Sequence, residues 1–273
     1  MAGGPGAMEA AAVIIPARYA ATRLPGKPLA DIAGAPLIVR VYQRARLIPG
    51  VQAVVVATDD RRIAEAIEAV GGSVVLTRSD HPSGTDRIAE AAAAVTADII
   101  VNVQGDLPCL DPAMVTPLIE LLRADTSVAM ATLMTPILSR AECDDPNVVK
   151  VVTDRRGRAL YFSRAAIPHG GRWDGGESGE APRPRFMHHI GLYAYRRPFL
   201  AAFTRLAPTP LEQAERLEQL RALEHGYAIG VATWRGGEVI EVNTPEDLDR
   251  ARAFFEDGIA GGNGQGGERR SAS

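Results

Sequence analysis

Four short runs rich in Val and Ile, AAVIIPA (11–17), VQAVVVATD (51–59), GSVVLT (72–77) and DIIVNVQGD (98–106), alternate with amphipathic segments at 37–47, 61–70, 84–95 and 111–122. Apolar runs without strict alternation fit strands buried on both faces. Regular strand–helix alternation makes such strands neighbours in a parallel sheet. The boundaries agree: Gly71-Gly72 closes the second helix and Asp111-Pro112 caps the fourth. The fold class is therefore α/β and Rossmann-like, with a mixed, mostly parallel sheet.

After about residue 127 the order changes. VAMATLMTPI (128–137), NVVKVVTD (147–154), ALYFSRA (159–165) and HHIGLYAYRR (188–197) read as strands of a mixed or antiparallel extension. A helix follows at 208–225, then a strand at 227–234. A last helix at 244–255 opens on TPEDL, with Thr at the cap, Pro at the first position and acids in the first turn. The expectation is one domain over 11–255, in which 11–135 and 226–255 bind nucleotide and 136–225 form an inserted, smaller mixed-sheet lobe. Residues 1–10 and 258–273, Gly-rich with little to bury, are expected to be flexible.

Bulk properties narrow the function. Thirty Lys and Arg against 33 Asp and Glu leave a formal charge of −3, so any anion binding must be local, with no general attraction to nucleic acid or membrane. Two cysteines, Cys109 and Cys143, form no CxxC pair, which points to a reduced, cytoplasmic setting without structural zinc. No apolar stretch reaches transmembrane length.

Open parallel sheets bind ligands beyond the carboxyl ends of their strands. That rim gathers the loop from Pro16 to Lys27, Thr58-Asp59, the loop from Thr77 to Asp86, and Gln104 to Asp106. The first loop carries Arg18, Arg23 and Lys27 with no acid between them, a set suited to a triphosphate. Neither GxxxxGK[ST] nor GxGxxG is present. Asp106 in VNVQGDLP ends a buried strand, where a carboxylate can hold a hard cation such as Mg²⁺. The small and polar residues of SDHPSGTDR (79–87) allow close approach to a base; read alone, they are equally a loop and a helix cap.

PARYAATRLPGKPL, VATDD, SDHPSGTDR, VNVQGD, ALYFSRAAIP, HHIGLYAYR, LEQLRALEHG and NTPEDL follow one another here in the order seen in the 3-deoxy-manno-octulosonate (Kdo) cytidylyltransferases, which this chain resembles over roughly residues 11–253. The resemblance implies a nucleotidyltransferase that transfers CMP from CTP to Kdo with Mg²⁺, releasing pyrophosphate, for lipopolysaccharide biosynthesis. It implies that Arg18, Arg23 and Lys27 hold the CTP phosphates, with Pro16 and Ala17 lining the nucleotide. Arg18, Lys27 and Asp106 would serve catalysis, and Arg78, Ser83 and Gly84 the cytosine. Gln104 would touch ligand, while Arg164, His189, Tyr193, Glu218 and Gln219 would form the sugar pocket. A homodimer through the strands around ALYFSRA is also implied.

Two positions depart from the family pattern. Leu107 stands where many members carry an acid after QGD. Asn243 stands where DTPEDL supplies a second magnesium ligand; an amide oxygen can coordinate but brings no charge. The remaining readings are a sialic-acid-type or sugar-1-phosphate nucleotidylyltransferase, and a non-catalytic nucleotide-binding protein. The chain has PARYAATRL rather than a GxGTRL opening and contains LEQLRALE, which sialic acid activators generally lack.

Overall fold

In the computed structural model, residues 9–19, 24–169 and 186–262 are described; Arg23 lies outside them. The first strand, β1 (Ala11–Ala17), is fully buried from Ala11 to Ile15, because both of its faces are covered. Val13 and Ile15 point into one core with Leu37, Ile38, Val41, Leu118 and Leu122. Ala12 and Ile14 point into another with Ile88, Phe162, Phe199 and Leu220. Two apolar faces on one strand are what removed the period-two signal from its sequence.

After a short hairpin, β2 (Asp31–Ile32) and β3 (Ala35–Pro36), helix α1 (Leu37–Ala45) leads into β4 (Val51–Thr58). Then come α2 (Arg61–Glu68), β5 (Ser73–Leu76), α3 (Gly84–Ala91), β6 (Ile99–Asn102) and α4 (Thr116–Ala124). The later part holds β7 (Val128–Pro136), α5 (Arg140–Asp144), β8 (Lys150–Thr153), β9 (Ala159–Ser163) and β10 (Met187–Arg196). It ends with α6 (Arg197–Phe203), α7 (Pro210–Glu215), α8 (Gln219–Glu224), β11 (Ala228–Thr233) and α9 (Pro245–Gly262).

The main sheet runs β11-β7-β10-β6-β1-β4-β5. β6, β1, β4 and β5 are parallel, β10 is antiparallel to both β6 and β7, and β11 is parallel to β7. The inserted part shares this sheet: β7 and β10 continue it, and only the β8–β9 pair branches away, at His188 opposite Lys150. Parallel register places Ala17 beside Thr58 and Thr58 beside Leu76. The strand ends of β1, β4, β5 and β6 therefore open on one rim.

Three elements differ from the sequence reading. The helix expected at 208–225 is two helices, broken at Arg216, whose φ of 54° is left-handed. The Leu217 N–H reaches back to the Glu212 carbonyl and closes the first helix. Helix α6 was not anticipated; it follows β10 without a loop, starting at Arg197-Pro198. The backbone of α9 runs on to Gly262, beyond the expected end at 255, since extending a formed helix costs little.

Candidate active site

Gly26, at φ 72°, turns the chain into a 3-10 turn that begins at Lys27. From there Lys27 Nζ donates to Asp106 Oδ2 at 2.9 Å and to the Val242 carbonyl at 2.8 Å. The Val242 N–H in turn reaches the Asp106 carbonyl at 2.9 Å. Three segments far apart in sequence, the loop after β1, the turn after β6 and the strand-like stretch before α9, are thus tied at one point. Gly105 lets the turn approach β1: a β-carbon there would lie 2.6 Å from the Pro16 carbonyl oxygen. Pro16 is also in van der Waals range of the position a Gly84 side chain would take. The rim thereby joins Pro16, Lys27, Gly84 and Asp106, as the sequence anticipates.

Asp106 Oδ1 is buried and has no hydrogen-bond partner among the described residues. An uncompensated carboxylate oxygen is costly in a fold and marks a position for a cation. Asn243, next to Val242, donates through Nδ2 to Glu241 Oε1 at 2.9 Å, and its backbone N–H goes to Asp247. An amide that gives its NH₂ to Glu241 turns its carbonyl oxygen elsewhere, as a metal ligand must. The donor set of Asp106 and Asn243 fits Mg²⁺, which typically uses one or two protein oxygens together with substrate phosphates.

The second half of the rim lies where α3 meets α8. Thr85 Oγ1 donates to Glu218 Oε2 at 2.6 Å, bringing the SGTDR loop to the LEQLR helix. Burial pushes the Tyr193 hydroxyl pKa well up, and the charges of Tyr195, Glu218 and Glu241 add to this. Gln219 is buried with its Nε2 unpartnered. Gln104 donates to Asn102 Oδ1 at 3.3 Å at the end of β6. Glu218 and Thr85 thus meet at the α3–α8 junction, and Tyr193 stands opposite Asn102 at the end of β6.

His189 is enclosed by protein groups. It is 6% exposed, packs edge-on against Phe162 with ring centroids 4.8 Å apart, and meets Thr132 Oγ1 at 2.9 Å through Nε2. Burial depresses its pKa to about 3, and the neighbouring His188 charge adds to this. The ring is neutral and lies beneath Tyr193, at 5.5 Å between centroids. Ser83 is spent locally: its hydroxyl accepts from the Asp86 N–H and donates to Asp86 Oδ2, capping α3.

The structure directs two predicted arginines elsewhere. Arg78 is exposed and lies against Asp80 and Glu90, each about 3.5 Å away, rather than at Gly84. Arg164 donates to the carbonyls of Glu215, Pro146 and Arg216, filling the bare end of α7. Arg18 follows Ala17 at the rim. Two residues that the sequence reading passed over belong to the same region, Thr85 and Arg87. Gly84, Arg87, Ile88 and Ala91 fall at i, i+3, i+4 and i+7, so an arginine on the core-facing stripe of α3 was the available signal.

An α/β sheet with a cationic loop and an open carboxylate at its carboxyl rim suits a nucleotidyltransferase, which binds a nucleotide polyanion at such a rim. The cytidylyltransferase family model matches residues 12–229. The 3-deoxy-manno-octulosonate cytidylyltransferase of Syntrophotalea carbinolica is 52% identical over 243 residues, covering 89% of this chain and 97% of the relative. That of Geobacter metallireducens is 53% identical over 240 residues, covering 87% and 94%. A solved structure of CMP:2-keto-3-deoxy-manno-octonic acid synthetase, complexed with CTP, superposes with TM-score 0.82 at 43% identity, covering 91% of this chain and 99% of that one. The chain belongs to the 3-deoxy-manno-octulosonate cytidylyltransferase family.

Proposed function

We propose that this chain transfers CMP from CTP to Kdo, giving CMP-Kdo and pyrophosphate for lipopolysaccharide synthesis. The observation that carries the reading is the near-full-length identity of 52% to a relative of that name. The anomeric hydroxyl of Kdo attacks the α-phosphorus in line; the new C–O–P link forms as the bond to pyrophosphate breaks, and the hydroxyl proton is lost. Such a displacement gains mainly from positioning and charge neutralisation. The chain offers cations and a carboxylate at the rim.

Arg18, Arg23 and Lys27 grip the phosphates, and Lys27, fixed between Asp106 and Val242, holds its charge in one place. Asp106 and Asn243 would hold Mg²⁺, which would neutralise phosphate charge and lower the pKa of an attacking hydroxyl. Glu218, Gln219, Tyr193 and Gln104 receive the sugar hydroxyls, while His189 fixes Tyr193 from below. The segments 11–135 and 226–255 serve the nucleotide, and 136–225 the sugar. Buried free Cys109 and Cys143 accord with a cytoplasmic site of action.

Leu160, 62% exposed, lies on β9, which pairs only with β8. That edge is the proposed homodimer surface. Product analysis by mass spectrometry tests the function. CTP with Kdo should yield CMP-Kdo, whereas CTP with sialic acid or ATP with Kdo should yield none. A sialic acid product, or none at all, would overturn it.

A further inference from the structure

β1 and β4 run in a register that pairs Ala17 with Thr58. The next residues, Arg18 and Asp59, therefore leave the sheet side by side, and opposite charges so placed should pair. They do not. Asp59 Oδ1 takes Arg87 Nη1 at 3.0 Å instead, and Arg18 has no ion-pair partner among the described residues.

Arg87 comes from α3 and is fully buried. Its Nη1 also donates to Thr77 Oγ1 at 2.5 Å, but its Nε and Nη2 are buried without partners among the described residues. Burial depresses its pKa, Asp59 opposes this, and the like charge of Arg18 adds to the depression. An apolar side chain would fill the volume at lower cost, because a buried charge with empty donors is destabilising. Such a cost is commonly kept where function needs it.

We propose that Arg87 is a positioning residue of the nucleotide site: by occupying Asp59 and repelling Arg18, it leaves Arg18 free for the triphosphate. The proposal rests on the reading of Arg18 as a phosphate ligand. It also explains how Arg18 stays without an ion-pair partner among the described residues although a carboxylate stands beside it in register.

The test is CTP binding by calorimetry, without sugar, on the full chain. Arg87→Met should let Arg18 pair with Asp59 and weaken CTP about tenfold, the worth of one charge-assisted contact. Adding Asp59→Asn to that variant should restore most of the affinity, because Arg18 loses its competing partner. The KM for Kdo should stay within about twofold in both. If Arg87→Met does not fold, Arg87→Gln, uncharged but able to donate to Thr77, carries the same two-step comparison. CTP binding unchanged in the single variant, or no recovery in the double variant while the wild type binds normally, overturns the role of Arg87. A wild type that does not bind CTP overturns the nucleotide reading itself.

Discussion

At the residue scale, the rim depends on a few side chains whose partners are incomplete until substrate arrives. Asp106 is the sharpest case: one oxygen is paired with Lys27 and the other is buried and bare. Asp106→Asn should lower kcat at least about a hundredfold, with urea stability unchanged or slightly raised. A loss of stability that accounts for the lost rate would contradict this. Asn243→Asp places a second carboxylate beside Glu241, which now accepts from the Asn243 amide. A magnesium titration should show half-saturation at a several-fold lower concentration, with activity retained, because added ligand charge tightens hard-cation binding. An unchanged titration would remove Asn243 from the metal site. Gly105→Ala drives a β-carbon toward the Pro16 carbonyl at 2.6 Å. It should cost roughly 1–3 kcal/mol together with part of the activity, as urea melts and kcat will show.

His189 gives a pH signature. Its folded pKa of about 3 lies below the unfolded value near 6.5, so below pH 6.5 the unfolded chain binds the extra proton. Stability from this group is complete above 6.5 and falls as pH drops toward 3, by up to about 1.4 kcal/mol per pH unit. Urea midpoints at pH 7 and pH 5 should therefore fall more for the wild type than for His189→Gln. Equal slopes would place the His189 ring in contact with water.

At the element scale, the strands of the parallel half are legible because double-sided burial writes continuous Val and Ile runs. β1, β4, β5 and β6 appear within a few residues of their expected limits. Helices without punctuation are not. No Gly or Pro marks the break at Arg216; it arises because Glu212 binds Arg221 and Glu215 binds Ser163 and the Arg164 N–H, pinning α7 against α8 and β9. Helix α6, seven residues long and fused to β10, offered too short a period to read. The left-handed Arg216 yields a prediction. Arg216→Gly relieves a conformation disfavoured for a side chain and should stabilise by up to about 1 kcal/mol, provided the substitution spares the carbonyl that accepts from Arg164. A destabilised variant would show that the Arg216 side chain holds the α7–α8 junction.

At the scale of the whole molecule, the site exists only because the sheet order brings remote segments to one rim. Strand ends and motif resemblance single out Lys27, Asp106 and Asn243, and the fold joins the segments that carry them. The directions of Arg78 and Arg164 were not legible, since they follow from carboxylates and helix-end carbonyls that only the tertiary structure sets near them. The service of Arg87 was hidden for the same reason: its meaning lies in the register of β1 against β4. The edge strand β9 places Leu160 in solvent, and Leu160→Glu should convert a dimer into a monomer in light scattering while leaving CTP affinity unchanged. A wild-type monomer would remove that surface from the account.

The central claim is direct transfer of CMP to Kdo at this rim, and the most direct test is rapid-quench measurement of pyrophosphate released from CTP in the presence of Mg²⁺. Release should require Kdo, with no burst from CTP alone. A stoichiometric burst of pyrophosphate without Kdo would mean that CMP first becomes attached to the protein, and would contradict the account.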